Sequence, residues 1–412
     1  MSRTASVAIN IDRLIARIDI LAEMERKDDG SCSRLALTDA DRRGRDRVVE
    51  WMHEAGLAVR VDQIGNITGL LAGRSADRPV MTGSHVDTVG NGGRFDGIYG
   101  VIAGIEVLQS LRDADQVTER SLAVTVFTNE EGVRFQPDMM GSLVYSGGLA
   151  LEEALNAKAA DGARVGDELK RIGYAGTERC GEPIPYAFIE LHIEQGPILD
   201  MERGSLGAVE NLQGMSWQEV TIRGVSNHAG TTPMPLRHDA GYCAARIGVF
   251  VRDLAGRMGA SQVGTVGSVR LTPNLINVIA SQAVVSVDLR NTNDALLTAA
   301  EREFTQFLET LAQEEGVTIE TRRLVRTAPV IFDSKVLQAI EAVAAELGLP
   351  IRRMTSGAGH DAQMMARICP TAMIFVPSVG GISHNPREFT ERRHLEIGAD
   401  ALLHTMLRLA AT

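Results

Sequence analysis

Hydrophobic and polar residues in the first half of the chain follow strand-like and helix-like patterns in turn. Short apolar runs over residues 79–84, 122–127 and 187–191 predict buried strands. The charged amphipathic stretch 41–55 and the apolar stretch 100–111 predict helices that alternate with those strands. Strands that alternate with helices favour an α/β fold, with a mostly parallel sheet whose faces are covered by helices.

The pattern changes near residue 212 and returns after about residue 329. Between these points, strand-like alternation and long amphipathic stretches predict the order β-α-β-β-α-β of a ferredoxin-like α+β sandwich. The predicted elements cover residues 217–223, 240–258, 265–271, 283–289, 295–315 and 317–323. Beyond residue 329, a helix over 334–347 and a strand over 371–376 resume the first pattern. We therefore expect a catalytic domain of residues 1–211 and 329–412, with residues 212–328 inserted into it.

Length and charge narrow the class of protein. A chain of 412 residues is long enough for two domains, and its 44% hydrophobic and 23% charged residues are typical of globular proteins. The net charge of −11 and the lack of a basic run disfavour nucleic acid or an anionic membrane surface as a partner. No stretch approaches 18 consecutive apolar residues, so we expect no membrane span.

The cysteines and the N-terminus bear on the compartment. Four scattered cysteines without a C-x-x-C pair are typical of reduced thiols. The segment Met1-Ser-Arg-Thr-Ala-Ser leads into an amphipathic stretch that carries Asp12, Arg13 and Arg17, and it lacks the apolar core of a signal peptide. We expect a cytoplasmic protein.

Acids and histidines follow several of the predicted buried strands, each set among glycines. The candidates are His85, Asp96, Glu130, Glu131, His192 and His384. Ligands of open α/β sheets bind beyond the carboxyl ends of the strands, so these residues can converge although they are distant in sequence. Singly, each is more often a cap or a solvated loop residue, and adjacent glutamates are common on surfaces; together they form an ordered set.

This set matches the needs of two catalytic divalent ions, which take a bridging carboxylate and terminal imidazole or carboxylate ligands. Asp96 is the expected bridge, and the expected terminal ligands are His85, Glu131, His192 and His384. Such ligands accept Zn, Mn, Co or Ni. Asp87 is expected to accept the other N–H of the His85 imidazole. Glu130, beside a metal ligand, is expected to be the general base.

The same residues lie in an ordered series of motifs. These are Gly83-Ser-His-Val-Asp-Thr-Val, Gly92-Gly-Arg-Phe-Asp-Gly, Asn129-Glu-Glu-Gly-Val-Arg-Phe, Glu190-Leu-His-Ile-Glu-Gln-Gly and Gly381-Ile-Ser-His-Asn-Pro. The series resembles that of the hydantoinase/carbamoylase amidases, dinuclear metallohydrolases related to the M20 peptidases. The resemblance extends from about residue 10 to the C-terminus. It implies the metal and base roles above, two divalent ions per subunit, and a homodimer formed through the inserted lid domain.

The resemblance also implies a set of substrate-binding residues. These are Gln195, His228, Asn277, Arg290 and Gly359. His228 is expected to reach the reacting carbonyl, and His360 is expected to contact the metal ligands without binding metal or substrate itself. A guanidinium suits a substrate with a free carboxylate, and histidine or asparagine can stabilise a developing oxyanion. Two alternatives remain open from the residues themselves: Arg290 can pair with Asp288 or Asp294, and His360 can be purely structural.

The resemblance implies hydrolysis of the carbamoyl C–N bond of an N-carbamoyl-L-amino acid to the amino acid, ammonia and carbon dioxide. Allantoate is the alternative substrate, and β-ureidopropionate is a weaker one. Asn277 and Arg290 disfavour a dinuclear aminoacylase or exopeptidase, and an intact Glu130 disfavours a non-catalytic carrier. Leu212, Met215 and Trp217 favour an apolar substrate side chain, with core packing as the other interpretation of these three residues.

Overall fold

The computed structural model describes residues 7–24 and 26–411. The expectation that the N-terminus is not a signal peptide concerns Met1 to Ser6 in part, and these residues lie outside the described ones. The helices of the described chain are numbered in chain order. They are α1 (Ile11–Met24), α2 (Asp39–Glu54), α3 (Ile98–Asp113), α4 (Met140–Tyr145), α5 (Leu151–Asn156), α6 (Val165–Ile172), α7 (Ile198–Glu202), α8 (Ala240–Met258), α9 (Asp294–Glu315), α10 (Ser334–Glu346), α11 (Asp361–Met365) and α12 (Arg392–Ala410).

The strands are numbered in the same way. They are β1 (Ala58–Val61), β2 (Ile67–Leu71), β3 (Val80–His85), β4 (Leu122–Phe127), β5 (Ala187–Ile193), β6 (Leu206–Leu212), β7 (Gly214–Arg223), β8 (Val263–Thr272), β9 (Gln282–Asn291), β10 (Thr318–Thr327), β11 (Val330–Ile331), β12 (Ile351–Ser356) and β13 (Thr371–Val376). The chain forms two compact units, residues 1–210 with 332–412 and residues 211–331.

The sheet of the first unit is mixed, with parallel strands at its centre. Its order is β1-β2-β4-β3-β5-β13-β6, and β12 also pairs with β6. The pairs β4–β3, β3–β5 and β5–β13 are parallel, whereas β1–β2, β2–β4 and β13–β6 are antiparallel. The expected α/β class with parallel central strands is therefore confirmed.

The four parallel strands are buried at every position. Near-continuous apolar runs of this kind are typical of strands that are covered on both faces. Helix α3 is also buried over most of its length, because its residues are apolar on all sides. The carboxyl ends of these strands meet at one edge, since parallel strands all run in the same direction. His85, at the end of β3, and His192, near the end of β5, lie at this edge.

The second unit follows the order β7-α8-β8-β9-α9-β10. Its antiparallel sheet has the order β10-β7-β9-β8, so β8 and β10 are edge strands. Strand β9 alternates between buried and half-buried positions, as expected for a sheet with one face on a core. The core contains Ile222, Val285, Val287, Leu289, Ile247, Val251, Leu297 and Phe304.

Local capping defines the ends of both helices in this unit. Asp239 accepts hydrogen bonds from the amides of Gly241 and Tyr242 at the start of α8. Asn293 caps α9 through the amide of Leu296, and Gly316 ends α9 in the left-handed conformation, which glycine adopts without strain.

Two of the apolar residues considered for substrate selection are part of the fold. Leu212 and Met215 are buried in β6 and β7, whereas Trp217 is partly exposed. Burial shows that Leu212 and Met215 pack in the protein interior, so their apolar character gives no reason to expect an apolar substrate side chain. Among the described residues, no helix is both long and apolar enough to cross a membrane.

Candidate active site

Five separate segments of the first unit bring the predicted metal ligands together. His85 ends β3 and His192 lies near the end of β5. Asp96 precedes α3, and Glu131 and His384 follow β4 and β13 in the chain. The residues form groups in which ligand atoms lie within 4.8 Å of one another: His85, Asp96 and His192 in one group, and Asp96, Glu131 and His384 in another.

The two carboxylate oxygens of Asp96 face different ligands. Its Oδ1 atom lies 3.2 Å from Nε2 of His192 and 3.8 Å from Nε2 of His85. Its Oδ2 atom lies 3.0 Å from Nε2 of His384, which is also 3.6 Å from Oε2 of Glu131. Asp96 therefore belongs to both groups, which is the arrangement that a bridging carboxylate requires.

Main-chain oxygens orient two of the imidazoles. Nδ1 of His85 lies 2.8 Å from the main-chain oxygen of Asp87, and Nδ1 of His192 lies 2.9 Å from that of Ile193. Because a carbonyl oxygen only accepts, each Nδ1 carries the proton and Nε2 is directed at the centre of the site. Fixing a histidine ligand through its second nitrogen is usual at metal sites.

The expected role of the Asp87 carboxylate is corrected by this geometry. The main chain of Asp87, not its side chain, contacts the imidazole of His85. The carboxylate instead accepts hydrogen bonds from the amides of Glu130 and Glu131, each at 3.3 Å. The turn after β3 points this side chain toward the turn after β4. Asp87 therefore holds the two glutamates in place.

Glu130 forms a further group of potential metal ligands with His85 and Glu131. Its Oε2 atom is 3.4 Å from Nε2 of His85. The amide of Met139 donates to the main-chain oxygen of Glu130 at 2.7 Å and closes the loop that follows. A cavity of about 160 Å³ opens onto these groups. Its lining residues are His85, Asp96, Glu130, Glu131, Asp138, Met139, Gln195, Ala358, Gly359, His360 and His384.

The cluster contains several buried carboxylates whose negative charges are not fully compensated by positive groups. Burial and the charges of neighbouring carboxylates, Glu131 first, raise the pKa of Glu130 well above its usual value. Burial and the charge of Asp96 raise the pKa of Glu131 in the same way. Burial lowers the pKa of His85 to about 4, so its imidazole is neutral, which is the form that binds metals.

His192 and Asp96 are tied to each other electrostatically. Burial lowers the pKa of His192, but the hydrogen bond and charge of Asp96 outweigh it and raise that pKa to about 9. Burial would raise the pKa of Asp96, but hydrogen bonds from His192 and His384 keep it well below its usual value. A divalent cation would replace the proton between these groups and offset the buried carboxylates. The donor set therefore fits divalent metal ions, whose usual ligands are imidazole and carboxylate.

Glu388 is a buried acid that the sequence analysis did not identify. Its Oε1 atom accepts hydrogen bonds from the amides of Phe95 and Asp96, at 2.8 and 3.2 Å. Its Oε2 atom accepts from the hydroxyl of Ser383 at 2.8 Å. Burial and the charge of Asp96 raise the pKa of Glu388 to about 7. One carboxylate thus ties the Asp96 turn to the loop that carries His384.

Further polar residues support the ligands from the protein interior. Glu190, inside β5, accepts hydrogen bonds from the Ser84 hydroxyl at 2.8 Å and from the Ala362 amide at 2.7 Å. His360 is buried, and its ring lies 4.5 Å from that of His192 in a T-shaped arrangement. Nε2 of His360 contacts the Ser356 hydroxyl at 3.0 Å. His360 both packs on a ligand and lines the cavity.

The residues expected to bind substrate are divided between the units. In the first unit, Gly359 lines the cavity, and Nε2 of Gln195 donates to Oδ2 of Asp96 at 2.9 Å. In the second unit, His228 is exposed, and the amide of Ala229, the next residue, donates to the main-chain oxygen of Asn277 at 3.0 Å. Arg290, on β9, forms an ion pair with Asp288 at 2.9 Å, one of the two partners considered from the sequence.

Comparison with known proteins shows which family the chain belongs to. A model of the peptidase family M20/M25/M40 matches residues 81–408. A Rhizobium meliloti protein named N-carbamoyl-L-amino-acid amidohydrolase is 39% identical over 403 residues, which cover 98% of this chain and 97% of the relative. An allantoate amidohydrolase from Bacillus subtilis is 34% identical over 396 residues, covering 95% and 96% of the two chains.

A solved structure resembles the whole chain. The crystal structure of an amidase of the hydantoinase/carbamoylase family from Burkholderia multivorans has a TM-score of 0.96 and 43% sequence identity. The similarity covers 99% of this chain and 100% of that one. Each of these proteins is matched over nearly its full length, so the similarity includes both compact units.

Proposed function

The chain belongs to the M20/M25/M40 peptidase family and is a hydrolase that acts on C–N bonds, and we propose that it removes the carbamoyl group from N-carbamoyl-L-amino acids. Allantoate is the second candidate substrate, because the allantoate amidohydrolase of Bacillus subtilis is also similar over nearly the full chain. Both compounds carry a free carboxylate and a ureido group, so the same site chemistry serves either.

One observation carries the proposal: Asp96 belongs to two groups of potential metal ligands, and Glu130 lies beside both, in a third group with His85 and Glu131 that lacks Asp96. Family members generally bind divalent metals, and the donor set of this site fits them. We infer two ions per subunit, one beside His85 and His192 and one beside Glu131 and His384, with Asp96 shared. Bound there, such ions would polarise the substrate carbonyl and acidify water.

Side chains of the protein would then transfer the protons and hold the reacting groups in position. Glu130 accepts a proton from the water that attacks the ureido carbonyl carbon, and later delivers one to the leaving nitrogen as the C–N bond breaks. The free amino acid leaves, and the carbamate fragment breaks down to ammonia and carbon dioxide. Asp87 keeps Glu130 in place through the amide hydrogen bonds described above.

Three residues of the second unit are proposed to bind the substrate. Arg290 pairs with the substrate carboxylate through its guanidinium, and Asn277 assists it. His228 supports the developing charge on the carbonyl oxygen. His228 and Asn277 lie on adjacent loop segments, since His228 bridges to Val278 and the amide of Ala229 donates to Asn277.

We also propose a homodimer formed through the second unit. Its strand β8 is at the edge of the sheet and has ten residues, a length that leaves a row of free main-chain groups for pairing with a second copy. Apolar side chains are exposed along this edge and on α8, including Val263, Val269, Leu271, Tyr242 and Val249. A second copy would bury them.

A substrate panel tests the proposed activity. Metal-reconstituted enzyme is assayed for ammonia release from N-carbamoyl-L-amino acids, allantoate and β-ureidopropionate, with N-acetyl-L-amino acids as the aminoacylase control. The proposal expects the highest kcat/KM with an N-carbamoyl-L-amino acid. A higher value with allantoate would transfer the assignment to the second candidate, and release of acetate alone would reject both.

A further inference from the structure

The loop between Glu131 and α4 is held in one shape beside the reaction cavity. Met139, Met140 and Gly141 donate main-chain hydrogen bonds to Glu130, Asn129 and Thr128. The Asn129 side chain donates to the main-chain oxygens at 135 and 137, and the Gln136 side chain donates to that of Gly132. The loop is thus fastened at both ends and in the middle.

This loop presents Asp138 to the cavity. Asp138 is half-buried and lines the same space as Glu130 and the predicted metal ligands. Gly132 allows the close approach, because a Cβ atom at that position would lie 2.7 Å from the Cα and Cβ atoms of Asp138. Among the residues that the structure describes, the Asp138 carboxylate has no ion pair, and its own main-chain amide is its one hydrogen-bond donor.

No positively charged side chain among the lining residues of the cavity compensates the Asp138 carboxylate. The other carboxylates of the cavity are Asp96 and Glu131, which belong to the predicted ligand groups, and Glu130, the proposed base. The lining includes no lysine or arginine, and the neighbouring walls are Met139, Ala358 and Gly359. A partly desolvated carboxylate with a single hydrogen-bond donor keeps acceptor sites open, and a ligand with N–H groups would satisfy them.

We propose that Asp138 is a specificity-determining residue that accepts a hydrogen bond from an N–H group on the substrate beyond the ureido group that is cleaved. This inference rests on the proposed carbamoyl hydrolysis and narrows its substrate class. The preferred substrates carry an amide, ureido or ammonium group on the side chain, and side chains ending in a carboxylate are rejected by repulsion.

A matched pair of substrates isolates this contact. N-carbamoyl-L-glutamine and N-carbamoyl-L-glutamate have nearly the same size and differ in having an amide or a carboxylate at the end of the side chain. The wild-type enzyme should favour the glutamine derivative in kcat/KM by about ten-fold or more, since hydrogen bonds to charged groups are worth that much. Asp138→Asn, which keeps the shape and removes the charge, should reduce this preference by about ten-fold.

Controls separate the contact from general damage. Asp138→Ala should reduce the preference in the same way, and metal content and thermal midpoint are measured for both variants. Asp28→Asn removes an exposed carboxylate outside the cavity and should keep the wild-type ratio. Wild-type ratios in both Asp138 variants, with metal bound, would overturn the inference.

The proposed function can fail separately. If the wild-type enzyme hydrolyses allantoate and no N-carbamoyl amino acid, the carbamoylase assignment fails while the role of Asp138 is still decided. Asp138→Asn should then raise the KM for allantoate, whose second ureido group supplies the donor, by about ten-fold. An unchanged KM in that case would overturn the inference about Asp138.

Discussion

The Oε2 atom of Glu130 lies 3.4 Å from Nε2 of His85, close to the metal ligands yet outside both groups that share Asp96. The adjacent Glu131 belongs to one of those groups and also to a third group with Glu130 and His85, and we propose that the two consecutive glutamates have different tasks. The division depends on the turn after β4, which the Asp87 carboxylate holds through the amides of both residues.

Glu130→Gln should therefore keep metal content close to wild type and lower kcat by at least about 10²-fold, the usual scale for loss of a general base. Metal content is measured by elemental analysis, and kcat by ammonia release. Glu131→Gln is the matched control and should lose metal as well as activity. A Glu130→Gln enzyme with wild-type kcat would contradict the proposed role.

Asp96→Ala should give a different result, because a bridge stabilises both ions. Metal stoichiometry should fall together with activity, as titration calorimetry with Zn²⁺ or Mn²⁺ can follow. His384→Ala removes a ligand from one group and should weaken one ion more than the other. Two ions still bound at wild-type affinity in Asp96→Ala would mean that another residue is the bridge.

Glu388 is expected to act as a positioning residue through Asp96 and His384. In Glu388→Gln, an amide NH₂ would face the amides of Phe95 and Asp96 or the Ser383 hydroxyl, all of which are donors. Metal affinity should fall by about ten- to a hundred-fold, the usual effect of losing a supporting carboxylate. The loss should appear in kcat more than in KM, and Glu388→Asp should restore part of it.

The control for Glu388 is Glu396→Gln, an exposed acid on α12. It should leave metal affinity unchanged. If Glu388→Gln lowers the thermal midpoint of the metal-free protein but binds metal with wild-type affinity, Glu388 supports the fold and not the metal centre.

The elements that sequence patterns predicted well are those with an unambiguous period. Strands over 122–127 and 371–376 and the helix over 240–258 have the bounds that were expected. Strand β6 was missed because Leu206-Gly-Ala-Val-Glu-Asn-Leu mixes glycine and polar residues without clear alternation. The short helices α4 to α7 have too few turns to show a period.

The residues of the site also divide into those that the sequence indicated and those that it did not. Histidines and acids after strands indicated the cluster, because parallel strands end at one edge. Glu388 gave no such indication: it follows His384 in the chain, but its partner Phe95 is 293 residues away. Asp138 lies in a loop whose path depends on hydrogen bonds that sequence spacing does not reveal. A contact between distant loops positions Glu388, whereas hydrogen bonds within its own loop position Asp138.

Subunit exchange tests the proposed dimer and His228 together. Differently tagged His228→Ala and Glu130→Gln chains are mixed, and hybrids carrying both tags are purified. If His228 acts in the partner subunit's site, each hybrid has one complete site and should recover up to half of the wild-type activity. Hybrids of wild type with a chain carrying both substitutions are the control. Verified hybrids of the two single variants that recover nothing would place His228 in its own subunit or outside catalysis.

The last prediction concerns Arg290, which forms an ion pair with Asp288 at 2.9 Å, with both side chains partly exposed. A partly exposed pair of this kind is worth little by itself, so giving up the contact with Asp288 for one with a substrate carboxylate costs little. Arg290→Ala should lower kcat/KM by about ten- to a hundred-fold, in line with a charge-assisted hydrogen bond of about 1.5–3 kcal/mol.

Two comparisons separate this role from a structural one. Arg290→Lys keeps the charge but not the planar fork, so it should recover only part of kcat/KM. Asp288→Asn removes the competing partner, and it should lower KM if Arg290 binds the substrate carboxylate. A substrate amide in place of the carboxylate should be turned over equally by wild type and Arg290→Ala. If Arg290→Ala instead lowers kcat/KM equally for the acid and the amide, Arg290 stabilises β9 and the carboxylate is bound elsewhere.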